Sequence, residues 1–409
     1  MRIGTRGRGV GGKGIWILAL VSLLFTCFSI SAADTKAADA APPTDAFGQS
    51  VAISGSTIVI SDENHNGKGY AYVFTRDGAS WRPAAQESGL NGYAWNVVTS
   101  GSNFAVGTLY GRAYVYTAGV QGWQRTADLK SPYEGDKSYF GDPIAFSGST
   151  LLVAGEPNDE PSSATQFFVF TDGSTGWAKT AELSEADTAP GETSAAASGT
   201  SIVISSEPHN GRAHVFTDGP KGWVQTAELG GPDARQGYDF GAAVAISGDT
   251  IVAGDPDESK GRGRAYVFTK TAEGWRQSAE LQTLDAAGTD QFGSAVAVSG
   301  PTIVVGDDDS EGQRGTAYVF AETADSWKQV AELNPSATIA NSGFGTAVAI
   351  SGTTIVVGTE GNSGCGELSI NGGASQPVDC DPPGSYGAYV YSETASGWHE
   401  VTDLHRPNK

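Results

Sequence analysis

The dipeptide Ser-Gly recurs seven times along the chain, with its glycine at Gly55, Gly101, Gly148, Gly199, Gly248, Gly300 and Gly352. The steps between copies are 46, 47, 51, 49, 52 and 52 residues. A period near 50 confines a chain to architectures built by repeating one supersecondary unit. Around each Ser-Gly lies the same pattern, clearest in the fifth copy as FGAAVAIS, TIVAG, RAYVF and GWRQSAEL. These runs are β-branched or alternate with period two, and they read as four short strands. Glycine between the first two suits a two-residue hairpin, where it takes a positive φ. Pro301 follows the glycine in copy six and fits that turn less well.

Four antiparallel strands repeated seven times predict an all-β fold, a seven-bladed β-propeller of four-stranded blades. One such sheet cannot hide both faces; seven set radially bury a continuous core. Two aromatic slots support this. One holds Phe74, Tyr116, Phe170, Phe216, Phe268, Phe320 and Tyr391. The other holds a tryptophan eight residues after the third-strand valine in every copy, from Trp81 to Trp398. An identical slot per blade favours packing between blades over a binding ladder.

The repeats resemble FG-GAP repeats, as found in the seven-bladed head of integrin α subunits and in secreted bacterial proteins. Phe-Gly stands at Phe47-Gly48, Phe140-Gly141, Phe240-Gly241, Phe292-Gly293 and Phe344-Gly345. Copies two and four degenerate to Tyr93-Ala94 and Gly191-Glu192, and the GAP triplet survives as GEP at Gly155 and GDP at Gly254. The resemblance spans 47–404 and speaks to fold more than to function. Integrin-like heads share a blade between their termini. Here the phase runs from an innermost to an outermost strand, so ring closure is expected to rest on packing alone. Residues 34–46 are a Pro/Ala-rich linker that could add an outer strand to blade seven, and 405–409 are a short tail.

Residues 1–33 read as a secretory signal peptide. Arg2, Arg6, Arg8 and Lys13 precede the apolar run Ile15–Ile30, and small residues follow at Ser31-Ala32-Ala33. Thr26 before Cys27 departs from a lipidation signal. The expected product is exported and monomeric, with no membrane span after cleavage. A formal charge of −21 excludes nucleic acid as a partner, since phosphates demand a basic surface.

The copies differ in one place. From the Ser-Gly glycine to the third-strand valine the spacings are 18, 14, 21, 16, 19, 19 and 38. Function collects on loops that vary over a rigid scaffold, and in integrin-like heads this face carries the partner site. The longest connection, in copy seven, holds Cys365 and Cys380, which in an exported protein read as a disulfide. That bridged loop is either a rigid ligand contact or a structural staple.

Aromatic residues gather in or beside these connections: Tyr93, Trp95, Tyr110, Tyr133, Tyr139, Tyr238 and Tyr386. Tyr110, Tyr238 and Tyr386 are the candidate ligand contacts. Calcium is weighed at two turns after the second strand, Asp62, Asn64 and Asn66 before Gly67, and Asp307, Asp309 and Glu311 before Gly312. Alternate acids before glycine suit a hard cation, but both turns lack the later closing carboxylate. The family's own calcium loops, between strands one and two, are too short here to carry over. No cofactor is required by any motif, and no catalytic motif or residue stands out. The expected function is a recognition or adhesion scaffold for an extracellular protein or polysaccharide. The alternatives are a polysaccharide-cleaving enzyme using loop carboxylates and a self-associating matrix protein.

Overall fold

In the computed structural model the chain divides into units 1–39 and 40–409, and all described residues fall in the second. They are 47–65, 68–108, 111–132, 140–142, 144–155, 165–183, 193–206, 211–231, 239–256, 262–283, 291–308, 315–324, 326–336, 343–359 and 387–407. Their 28 strands form seven sheets, each of four consecutive strands paired antiparallel in chain order. Blade one is β1 (Phe47–Ser54), β2 (Thr57–His65), β3 (Lys68–Asp77) and β4 (Ser80–Glu87). The linker 34–46 lies outside the described residues.

The Ser-Gly turns hold φ between +53° and +59° at the glycine in all seven copies. In each, the next residue's carbonyl accepts a hydrogen bond from the third strand, as Ser56 does from Arg76 (2.9 Å). Pro301 is no exception, contrary to expectation. Ser299 still pairs with Thr302, and the Pro301 carbonyl accepts from Glu322 (2.8 Å). The second position of a II′ turn wants a φ of roughly −80°, close to what a proline ring imposes. Third and fourth strands meet with a bulge at one place in every blade, Val73/Phe74 in the first and Val390/Tyr391 in the last. A bulge adds twist where the outermost strand swings away.

The core is seven apolar clusters, one per blade-to-blade interface. The cluster between blades five and six joins Val252, Val267 and Leu281 to Phe292, Ile303 and Tyr318. All seven repeat tryptophans pack on these clusters, which settles their slot as inter-blade packing. Phe-Gly is the latch. The phenylalanine packs at a steep angle on a third-strand aromatic of its own blade, Phe292 on Tyr318 at 5.6 Å. Its glycine presses on a glycine of the preceding blade in four copies, and Gly241 presses on Ser205. A Cβ on Gly254 would run into the carbonyl oxygen of Gly293, and one on Gly306 into that of Gly345. Two bare backbones therefore meet where no side chain fits.

Ring closure does more than pack. Each Ser-Gly glycine donates its N–H to the Ser-Gly serine Oγ of the preceding blade: Gly101 to Ser54 at 3.0 Å, Gly148 to Ser100 at 2.8 Å. The series continues through Gly199, Gly248, Gly300 and Gly352. Gly55 closes the circle on Ser351 at 3.0 Å, across 296 residues of sequence. A second clasp lies beyond the last strand. Arg406 donates from Nε and Nη2 to the Asp62 carboxylate of blade one, at 2.8 and 2.7 Å.

Candidate functional site

Both ends of a blade follow from its strand order. The first-to-second and third-to-fourth turns share one face, built in all seven blades to the same pattern. The second-to-third and blade-to-blade connections share the other, where the innermost strands begin. On that connection face the start of the central channel forms a cavity of about 420 Å³. Every blade contributes to its wall, from Gln49–Val51 of blade one to Thr346–Val348 of blade seven.

The wall is uneven. Blades one to three supply Gln49, Ser50, Trp95, Asn96 and Asp142, while blades five to seven supply chiefly Ala242, Ala243, Ser294, Ala295, Thr346 and Ala347. Trp95 is the second residue of a strand spanning Ala94–Ser100 and is half-buried. It occupies the position held by Gln49, Asp142, Ala242, Ser294 and Thr346 in other copies. No packing demand of the repeat asks for an indole there. Ser50 and Ser194 are partly structural: their Oγ atoms accept from the N–H groups of Val97 and Val244, each at 3.1 Å. Gln49 Oε1 and Ser294 Oγ make no hydrogen bond among the described residues. Asp142 is the one carboxylate among the described lining residues.

Of the residues singled out from sequence, Asp62 and Asp307 fall elsewhere. Asp62 is fully buried (0 % exposed) and held by Arg406. The burial of that corner, and then the Asp62 charge, push the neighbouring Tyr72 hydroxyl up to about 12. Asp307 is 4 % exposed, and its Oδ1 accepts the backbone N–H of Gln291 (3.0 Å), just before Phe292. It thus braces the Phe-Gly latch. Its counterpart in blade seven, Thr359, instead holds the entry to the third strand: Oγ1 donates to the Gly387 carbonyl and accepts the Gly387 N–H. Asn64 lies at the end of β2, and nothing of its side chain is described. Asn66, Asp309, Glu311, Tyr110, Tyr238, Tyr386, Cys365 and Cys380 lie outside the described residues. Among the described residues no cluster of three His, Cys, Asp or Glu side chains could hold a metal.

Sequence reasoning placed Trp95 with the loop aromatics and did not see the channel mouth. The signal was present: eight tryptophans follow the linker, seven fill the repeat slot, and Trp95 is the remainder.

Residues 32–74, 223–268, 275–320 and 327–376 match the family described as FG-GAP repeat. Three of these segments start at or beside the fourth-strand tryptophan, and three end at the third-strand aromatic of the next blade. The matched unit therefore bridges two blades and contains the latch. Trp95, Asn96 and Asp142 lie between the first and second matched segments. No curated protein matches the chain. Among solved structures, a protein from Lactobacillus plantarum is similar at 15% identity and TM-score 0.52, covering 70% of this chain and 84% of its own. A chain of a mitotic checkpoint complex is similar at 13% identity and TM-score 0.52, covering 80% of this chain and 94% of its own. Likeness at that identity extends to the fold alone.

Proposed function

The chain is built of FG-GAP repeats closed into a seven-bladed propeller, and from that premise we propose that it is an extracellular recognition scaffold. Its connection face binds a protein or polysaccharide. The observation that carries this is the asymmetry of the two faces. One end of the scaffold is the same in seven copies, while the other bears loops of unequal length around a cavity with an indole, two amides and a carboxylate. A cavity of about 420 Å³ lies within the roughly 300–1,000 Å³ that ligand pockets occupy. FG-GAP repeats are typical of extracellular proteins, and the basic and apolar residues of 1–33 supply an export signal. Outside the cell, Cys365 and Cys380 form a disulfide that stiffens the longest connection, and Tyr110, Tyr238 and Tyr386 contribute contacts around the rim.

The test is an array of glycans and extracellular proteins probed with the oxidised mature chain, in calcium and in chelator. Discrete hits are expected in both conditions, weakened by alanine at Tyr110, Tyr238 and Tyr386 together and unchanged by substitutions on the turn face. Hits lost only through turn-face changes would overturn the assignment of the binding face. Hits that are cleaved rather than held would turn the scaffold into an enzyme.

A further inference from the structure

We infer that Asn91-Gly92, in the connection from blade one to blade two, is a site of spontaneous deamidation whose isoaspartyl product loosens the joint between those blades. The chemistry is intramolecular. The Gly92 backbone nitrogen loses its proton and attacks the side-chain carbonyl carbon of Asn91. A C–N bond forms, the amide C–N bond of the side chain breaks, and ammonia leaves with the proton. Water then opens the five-membered imide at either carbonyl. One opening gives aspartate. The other gives isoaspartate, whose main chain runs through the former side-chain carbon. Water is the sole co-reactant.

Local structure singles the site out. Four Asn-Gly pairs occur in the chain, and Asn91-Gly92 is the one lying wholly within the described residues. Asn91 is exposed and sits in a bend outside any strand. Glycine after it carries no Cβ to shield the attacking nitrogen. Among the described residues neither the Asn91 carboxamide nor the Gly92 N–H has a hydrogen-bond partner. Two asparagines of the same blade are protected by contrast. Asn96 lies in the ladder opposite Gly107 and precedes the β-branched Val97. Asn103 pairs with Ser100 and precedes Phe104, and its Oδ1 accepts the Thr117 hydroxyl at 2.7 Å.

The fold supplies the consequence, because the span is tied at both ends. The Asn91 N–H donates to the Tyr114 hydroxyl at 3.0 Å. Ala94 is fully buried and opens the first strand of blade two, opposite Thr108. Between these ties the backbone lies tight against blade one. A Cβ on Gly69 would run into the Ala94 nitrogen and the Gly92 carbonyl oxygen. Isoaspartate adds one main-chain atom to this span, whereas aspartate adds a charge on an exposed side chain and leaves the backbone as it was. The damage therefore belongs to the isomer. It falls where blade two carries Tyr93-Ala94 in place of Phe-Gly, directly before Trp95.

The experiment is incubation of the full mature chain at mildly alkaline pH, where more of the attacking nitrogen is deprotonated. Peptide mapping by mass spectrometry follows, with enzymatic methylation of isoaspartate to tell the two products apart. Asn91→Gln, whose longer side chain disfavours ring closure, is aged beside it. Asn91→Asp, not aged, supplies the charge alone. Asn91 should convert progressively, and faster at higher pH, while Asn96 and Asn103 stay amides. The aged chain should melt about 2 °C or more below aged Asn91→Gln, and Asn91→Asp should melt with the unaged chain. Changes at the other three Asn-Gly pairs are common to both aged samples and cancel. Asn91 intact after incubation, or converted no faster than Asn96 and Asn103, overturns the site. Isoaspartate at 91 with equal melting of the two aged samples overturns the loosened joint. Asn91→Asp melting as low as the aged chain overturns the backbone as its cause.

Discussion

The seven innermost strands have two ends, and the chain treats them in opposite ways. At the turn end every copy carries Ser-Gly, and every serine accepts the next blade's glycine N–H. At the channel-mouth end the corresponding positions are Gln49, Trp95, Asp142, Thr193, Ala242, Ser294 and Thr346. The difference shows where closure is enforced. A ring of seven needs seven equal joints, and once they are made at one end the other end can diverge. The Phe-Gly latch, further out on the divergent end, is the exception. In four of its five copies two glycine backbones meet there without room for a Cβ, and in the fifth Gly241 lies against the Ser205 side chain.

The comparison can be broken most severely at that latch. Gly254→Ala places a methyl inside the Gly293 carbonyl, where only backbone movement gives relief. We expect a loss of about 3 kcal/mol or more, in the range of overpacked cores, read from urea denaturation. Gly248→Ala meets nothing within 4 Å and pays only for its φ of +57°, about 1–2 kcal/mol. If the two cost the same, the latch is not the constrained contact. Next comes Arg406→Ala, which strips a guanidinium from a fully buried carboxylate. About 2–3 kcal/mol is expected, less than the roughly 3–5 for breaking a wholly buried pair, because Arg406 is partly exposed. The Asp62→Asn and Arg406→Ala double variant should recover part of it. Arg406→Ala without effect would leave closure to packing and the serine ring.

Alkaline pH probes the same seams. Burial first, then nearby acids, pushes Tyr72 and Tyr116 up to about 12, and both pack at blade interfaces. A folded-state pKa above the unfolded value near 10 means that the un-ionised phenol is favoured by folding. That contribution is whole below pH 10 and is lost as pH climbs from about 10 toward 12. The melting temperature should fall over that window, and Tyr72→Phe should flatten part of the fall.

The fold was legible because its signals repeat. A turn glycine, a third-strand valine and a tryptophan eight residues later return seven times, and any one copy would have been ambiguous. The serine beside each turn glycine was equally regular, yet its role was not, because a hydrogen bond between copies has no local signature. The same limit explains Asp62 and Asp307. In sequence they are acids before a glycine turn, the pattern of a cation loop. In the fold, one is paired with an arginine 344 residues away and the other braces the residue that leads into its own blade. The channel mouth was hidden for a third reason. It is assembled from single residues of many blades: Trp95 is visible in sequence as the tryptophan left over from the repeat slot, but its place at the channel follows only once the seven strands surround one axis.

The serine ring offers the finest test. Ser351→Ala removes one Oγ acceptor from the Gly55 N–H at the seam between blades seven and one. Ser247→Ala removes the equivalent bond between blades joined by continuous chain, Gly300 to Ser247 at 3.3 Å. Each bond is exposed to solvent, so water replaces the lost acceptor and the cost should be about 0.5–1 kcal/mol. Equal costs would mean the joints are equivalent and closure is spread evenly around the ring. A larger cost at Ser351 would mean that the seam between blades seven and one leans on its hydrogen bond more than its apolar cluster implies. Either value comes from urea denaturation of the two variants side by side. Binding of the array hits should be unchanged in the same variants, because the serines stand on the face opposite the connections.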